Sequence, residues 1–90
     1  MVSRDVQVNT TAKSNEMPAL IVQLASRFSS DISIESDNRK ASAKSLLSMM
    51  YLVQHIGETG ESQVRISARG NDEEEAVGSL EAYLEGKQGA

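Results

Sequence analysis

Ninety residues, with 39% hydrophobic and 24% charged side chains, suffice for one modest hydrophobic core and exclude a disordered chain. A net charge of −4 argues against general binding to nucleic-acid phosphates, which needs clustered lysine and arginine, and points to protein partners. The lack of cysteine excludes disulfides, thiolate metal sites and cysteine nucleophiles and suits the reducing cytoplasm; no apolar run nears the roughly 20 residues of a membrane span, and Met1 to Asp5 do not resemble a signal peptide.

Residues 1–90 read as a single domain, without repeat or linker. Val6 and Val8 alternate with Asp5, Gln7 and Asn9, the period of a strand with one buried face. Met17, Leu20, Ile21, Leu24 and Phe28 then recur at helical spacing. Proline is tolerated only in a first helical turn, so Asn15 is the expected N-cap with Pro18 near the third position, and Ser14 is the competing cap. Ile32 and Ile34 mark a second strand, and Asp37-Asn38 a tight turn. Arg39 to Ala43 follows as a return strand, with Ala41 and Ala43 as its inward candidates.

From Ser45 the pattern becomes helical, with Leu46, Leu47, Met49, Met50, Leu52, Val53 and Ile56 apolar on more than one face. Gly57 to Gly60 should end that helix. Val64, Ile66 and Ala68 form a fourth strand closed by Gly70, and Asn71 with Glu74 resembles a capping box. Ala76, Val77, Leu80, Tyr83 and Leu84 then line the last helix. Strands that are half polar need cover on one face only, so the fold class is α+β: an open-faced two-layer sandwich of four antiparallel strands under three helices. In so small a core, losing Phe28 or Leu80 to alanine is expected to cost roughly 3–5 kcal/mol.

This element order, with Val22-Gln23-Leu24-Ala25-Ser26-Arg27-Phe28, Ala43-Lys44-Ser45-Leu46-Leu47-Ser48-Met49-Met50 and Gly70-Asn71-Asp72-Glu73-Glu74-Glu75-Ala76, resembles the HPr family, the histidine-containing phosphocarriers of the bacterial sugar phosphotransferase system. The resemblance implies a histidine acceptor at the start of the first helix. Here Asn15 or Ser14 occupies that position, depending on whether the alignment is anchored on Pro18 or on Val22-Gln23. The supporting arginine becomes Glu16 or Met17. The chain also carries a few extra residues between Leu52 and Val64, among them His55, its one histidine. A lone histidine near a helix end reads as structural or solvated rather than as a displaced carrier.

What the resemblance implies is therefore a binding or regulatory protein, not an enzyme, similar to the catabolite-repression HPr-like (Crh) proteins. Ser45 matches the family's regulatory phosphorylation site, and its ordinary role would be that of an N-cap. Lys44, Leu46, Leu47, Met50 and Tyr51 fill the family's partner-docking surface, with Leu47 and Tyr51 the expected exposed pair. The implied partners are an HPr kinase/phosphorylase, a catabolite-control transcription regulator, or a second copy of the chain in a homodimer. No cofactor, metal, membrane or direct nucleic-acid partner is expected, because Asp72 to Glu75 read as the acidic first turn of a helix. The competing reading is a diverged interaction or structural domain with no phosphoryl chemistry.

Overall fold

Alternation along the strands dictates a sheet with one covered face. The computed structural model describes residues 1–8, 16–59 and 63–86. Their elements are β1 (Val2–Gln7), α1 (Met17–Ala25), β2 (Asp31–Ser36), β3 (Arg39–Ser42), α2 (Leu46–Thr59), β4 (Gln63–Arg69) and α3 (Glu73–Leu84). The strands lie in the order β1-β4-β2-β3, every neighbouring pair antiparallel. Val6 opposes Val64, Ile66 opposes Ile34 and Ala68 opposes Ile32, so the buried residues of three strands form one apolar surface. Met17, Ile21, Leu24, Met49, Leu52, Ile56, Ala76, Val77, Leu80 and Leu84 close over it from the helices. The architecture is the expected open-faced sandwich.

The β2–β3 turn is also as expected. Asp37 sits at φ 58°, a left-handed conformation that aspartate tolerates, and Ser36 faces Arg39 across the turn. β3 stops at Ser42, one residue early, although Ala43 is fully buried and donates its N–H to the Ile32 carbonyl at 2.9 Å. Ala41 is half-buried.

Several local expectations need correction. The N-cap of α1 is Glu16, without a side-chain cap bond, and Pro18 falls at the second helical position, where its missing N–H costs nothing. Ser14 and Asn15 lie outside the described residues. α1 ends at Ala25, so Phe28, placed on the helical stripe by its spacing, sits in the following turn and is half-buried; Leu20 is half-buried too. α2, by contrast, passes through Gly57 and stops at Thr59, within the Gly57 to Gly60 segment expected to end it.

At α3 the N-cap is Asp72, and Asn71 is an exposed turn residue. Asp72 makes no local cap bond because its carboxylate is used across the fold. It accepts the Ser29 N–H at 2.9 Å, the Ser30 N–H at 3.0 Å and the Ser30 hydroxyl. Ser30 is buried, and Gly70 (φ 156°) packs so closely that a Cβ there would come within 2.7 Å of the Ser30 Cα. This contact ties the turn after α1 to the start of α3.

Leu80 is fully buried, so Leu80→Ala should cost about 2–5 kcal/mol in urea unfolding, whereas half-buried Phe28 should cost only about 1–2 kcal/mol as alanine. The Ser30 hydroxyl, followed by the Ser29 N–H, holds the Asp72 carboxyl below its ordinary range. A carboxyl with a depressed folded pKa contributes stability that is present above its unfolded pKa and lost as pH falls through the folded value. Unfolding free energy should thus decline as pH drops below about 4, and Asp72→Asn should flatten that decline in denaturant titrations run at several pH values.

Candidate functional site

The turn between β3 and α2 is built by short-range bonds that leave Ser45 little freedom. The Ser45 N–H donates to the Ser42 carbonyl at 3.2 Å, and the Lys44 N–H donates to the Ser42 hydroxyl at 3.2 Å. Ser45 is then the N-cap of α2: its Oγ accepts the Ser48 N–H at 3.3 Å and its carbonyl accepts the Met49 N–H at 3.0 Å. The first turn of α2 contains no acidic residue, so the positive end of its dipole is uncompensated from within the helix. The Lys44 ammonium donates to the Phe28 carbonyl at 2.7 Å, joining this turn to the end of α1.

Beyond Ser45, α2 divides into two faces. Met49, Leu52 and Ile56 are buried against the sheet. Leu46, Leu47, Met50 and Tyr51 are 49, 61, 50 and 64% exposed, far more than an apolar side chain in a core. Leu46 with Met50, and Leu47 with Tyr51, are spaced four apart and so lie side by side as one apolar patch. Leu47 and Tyr51 are its most exposed members, as their spacing suggested. The structure therefore brings Lys44, Ser45, Leu46, Leu47, Met50 and Tyr51 onto one continuous surface.

The sequence marks Arg39, Lys40 and Lys44 as cations that could pair with a phosphate on Ser45, and the structure shows what the first two adjoin. Arg39 and Lys40 of β3 join Ser48 and Tyr51 of α2 around an open concavity of about 410 Å³ beside the patch. The signal was present only as isolated cations after a turn, because the packing of β3 against α2 decides what they face.

Other candidates separate from this site. His55 is half-buried in α2, about 15 Å along the helix axis from Ser45 at 1.5 Å per residue, too far to serve it as a base. Glu73, Glu74 and Glu75 occupy the first turn of α3, where they complement the dipole. Among the described residues no three histidine or acidic side chains converge as metal ligands, and no helix is long and apolar enough to cross a membrane. What the site offers chemically is a hydroxyl at a helix N-terminus, a lysine beside it and an apolar platform.

Comparison with known proteins identifies the family and the fold. Residues 2–86 match the family described as the PTS HPr component phosphorylation site. The chain is 38% identical over 86 residues to the HPr-like protein Crh of Bacillus subtilis strain 168, covering 94% of this chain and 96% of that one. A crystal structure of HPr-C-His from Thermoanaerobacter tengcongensis superposes with a TM-score of 0.79 at 39% identity, covering 100% of this chain and 98% of the other. The crystal structure of Bacillus subtilis Crh, a catabolite-repression protein seen as a domain-swapped dimer, superposes at 0.70 with 34% identity over 91% of this chain and 86% of that one. An open four-stranded sheet under three helices, and a sequence match running nearly end to end, make this chain a member of the HPr family, related to the sugar phosphotransferase system and to catabolite repression.

Proposed function

We propose that this chain is a cytoplasmic regulatory protein of carbon catabolite control, acting through phosphorylation of Ser45 and the apolar face of α2, and not a histidine phosphocarrier. The observation that carries this reading is the position of Ser45. It caps α2 between Lys44 and the exposed Leu46, Leu47, Met50 and Tyr51. A phosphate there would bring about −1.5 to −2 charges to the positive end of a helix dipole that no acidic side chain of the first turn opposes. The sequence supports the loss of carrier function, because its one histidine is His55 and the family's acceptor position reads Asn15 or Ser14.

The partners that fit are an HPr kinase/phosphorylase acting on Ser45 and a catabolite-control transcription regulator docking on Leu47, Met50 and Tyr51. Methionine suits such a surface, since its flexible thioether adapts to more than one partner. Incubation with an HPr kinase and ATP should add one phosphate by intact mass. Ser45→Asn, which retains a capping side chain, should take up none; a phosphate that survives this substitution, or none on the native chain, would overturn the Ser45 assignment. Ser45→Ala should in addition lower stability by about 0.5–2 kcal/mol through the lost cap.

The dimeric relative favours a second reading, in which the chain also associates with its own copy. Sedimentation velocity should then find a dimer. Conversion to monomer by the double substitution Leu47→Ser and Tyr51→Ser would place the contact on α2, and an unchanged dimer would place it elsewhere.

A further inference from the structure

The face of the sheet turned away from the helices is organised in rows that cross all four strands. Ser3 opposes Ser67, Ser67 opposes Ser33 and Ser33 opposes Ser42. Ser3 and Ser67 share a hydrogen bond of 3.0 Å between their hydroxyls. The next row runs Asp5, Arg65, Glu35, Lys40, alternating in sign, with Arg65 donating to Asp5 at 3.0 Å. Small hydroxyls thus lie beside a ridge of long side chains. Where β2 begins and β3 and β4 finish, the serine row opens into a concavity of about 490 Å³.

Three cations from separate segments border it: Lys40 on β3, Lys44 on the turn into α2, and Arg69 at the end of β4. Asp31 is its single carboxylate. Arg65, by contrast, already spends its charge on Asp5, and the Lys44 ammonium donates one of its three N–H bonds to the Phe28 carbonyl, whereas neither Lys40 nor Arg69 has a salt-bridge partner among the described residues. On a chain of net charge −4, a concavity with three cations and one acid is a local reversal. Its lining is mixed: Met1, Ile32, Ala41 and Ala68 contribute apolar surface, and Ser33, Ser42 and Ser67 contribute hydroxyls, which both donate and accept. Its size falls in the range of small-molecule sites, about 300–1,000 Å³.

We infer that this concavity, formed by Lys40, Lys44 and Arg69 around Ser33, Ser42 and Ser67, binds a small phosphorylated polyhydroxy compound; it shares Lys44 with the Ser45 surface but takes in none of the exposed apolar residues of α2. The cations take the phosphate oxygens by charge-assisted hydrogen bonds, and the serines take the hydroxyls. Inorganic phosphate alone would use the cations and leave the serine row idle; an uncharged sugar would do the reverse.

Amide NMR titrations of the whole chain with ribose 5-phosphate, inorganic phosphate and ribose test this directly. Ribose 5-phosphate should give saturable shifts at Ser33, Ser42 and Ser67 with a Kd at or below about 1 mM, and each of the other two probes should bind about tenfold more weakly or not at all. Lys40→Ala and Arg69→Ala, both exposed positions whose folding is checked by circular dichroism, should each weaken binding about tenfold. Arg27→Ala, an exposed cation outside the concavity, should leave it unchanged. Absence of saturation, shifts confined to α2, equal binding of inorganic phosphate, or an equal loss with Arg27→Ala would each overturn the assignment.

Discussion

The pairing of β4 with both β1 and β2 is the constraint from which the rest of the molecule follows. β4 is the last strand in sequence and the inner strand that joins the N-terminal strand to the β2–β3 hairpin. Its Val64, Ile66 and Ala68 are almost wholly buried, with Val6 on one side and Ile34 and Ile32 on the other. A slip of one residue in either ladder would turn these three toward solvent, so apolar burial fixes the register. The register in turn fixes where β3 ends, and the end of β3 sets Ser45 at the head of α2.

Local pattern and long-range contact divide what was legible in advance. Strand alternation survived folding because one face of the sheet is buried and the other is not, and two-faced apolarity in α2 marked Leu47 and Tyr51 because a helix can bury only one of its faces. The errors lie where a distant partner decides. Asn71 looked like the cap of α3, but the residue in place is Asp72, whose carboxylate binds Ser29 and Ser30, more than forty positions earlier in the chain. Phe28 continued the period of α1 beyond its real end, and periodicity alone cannot tell where a run of serines stops a helix. The pairing of Lys44 with the Phe28 carbonyl, the shared concavity of Arg39 and Tyr51 and the serine row all depend on how the strands and helices pack.

The two helix starts on either side of β4 are treated in opposite ways. α3 carries Glu73, Glu74 and Glu75 in its first turn and so neutralises its own positive end. α2 carries none and is flanked by Lys44. A chain whose formal charge is negative thereby keeps its electropositive ground on the β3–α2 side, and mean charge is a poor guide to what that side attracts. In our reading, this separation lets one small domain offer a modifiable hydroxyl and an apolar platform together, while its acids serve the fold elsewhere.

The strand order also bears on how the chain emerges from the ribosome. β1 is made first, yet its one neighbour in the sheet is β4, whose residues are made after α2. Through most of synthesis Val6 has no ladder to join, whereas β2 and β3 can close their hairpin as soon as Asp37 and Asn38 allow the turn. Vectorial folding would therefore begin with the β2–β3 hairpin, and β1, although translated before it, would be locked in place only once β4 has emerged.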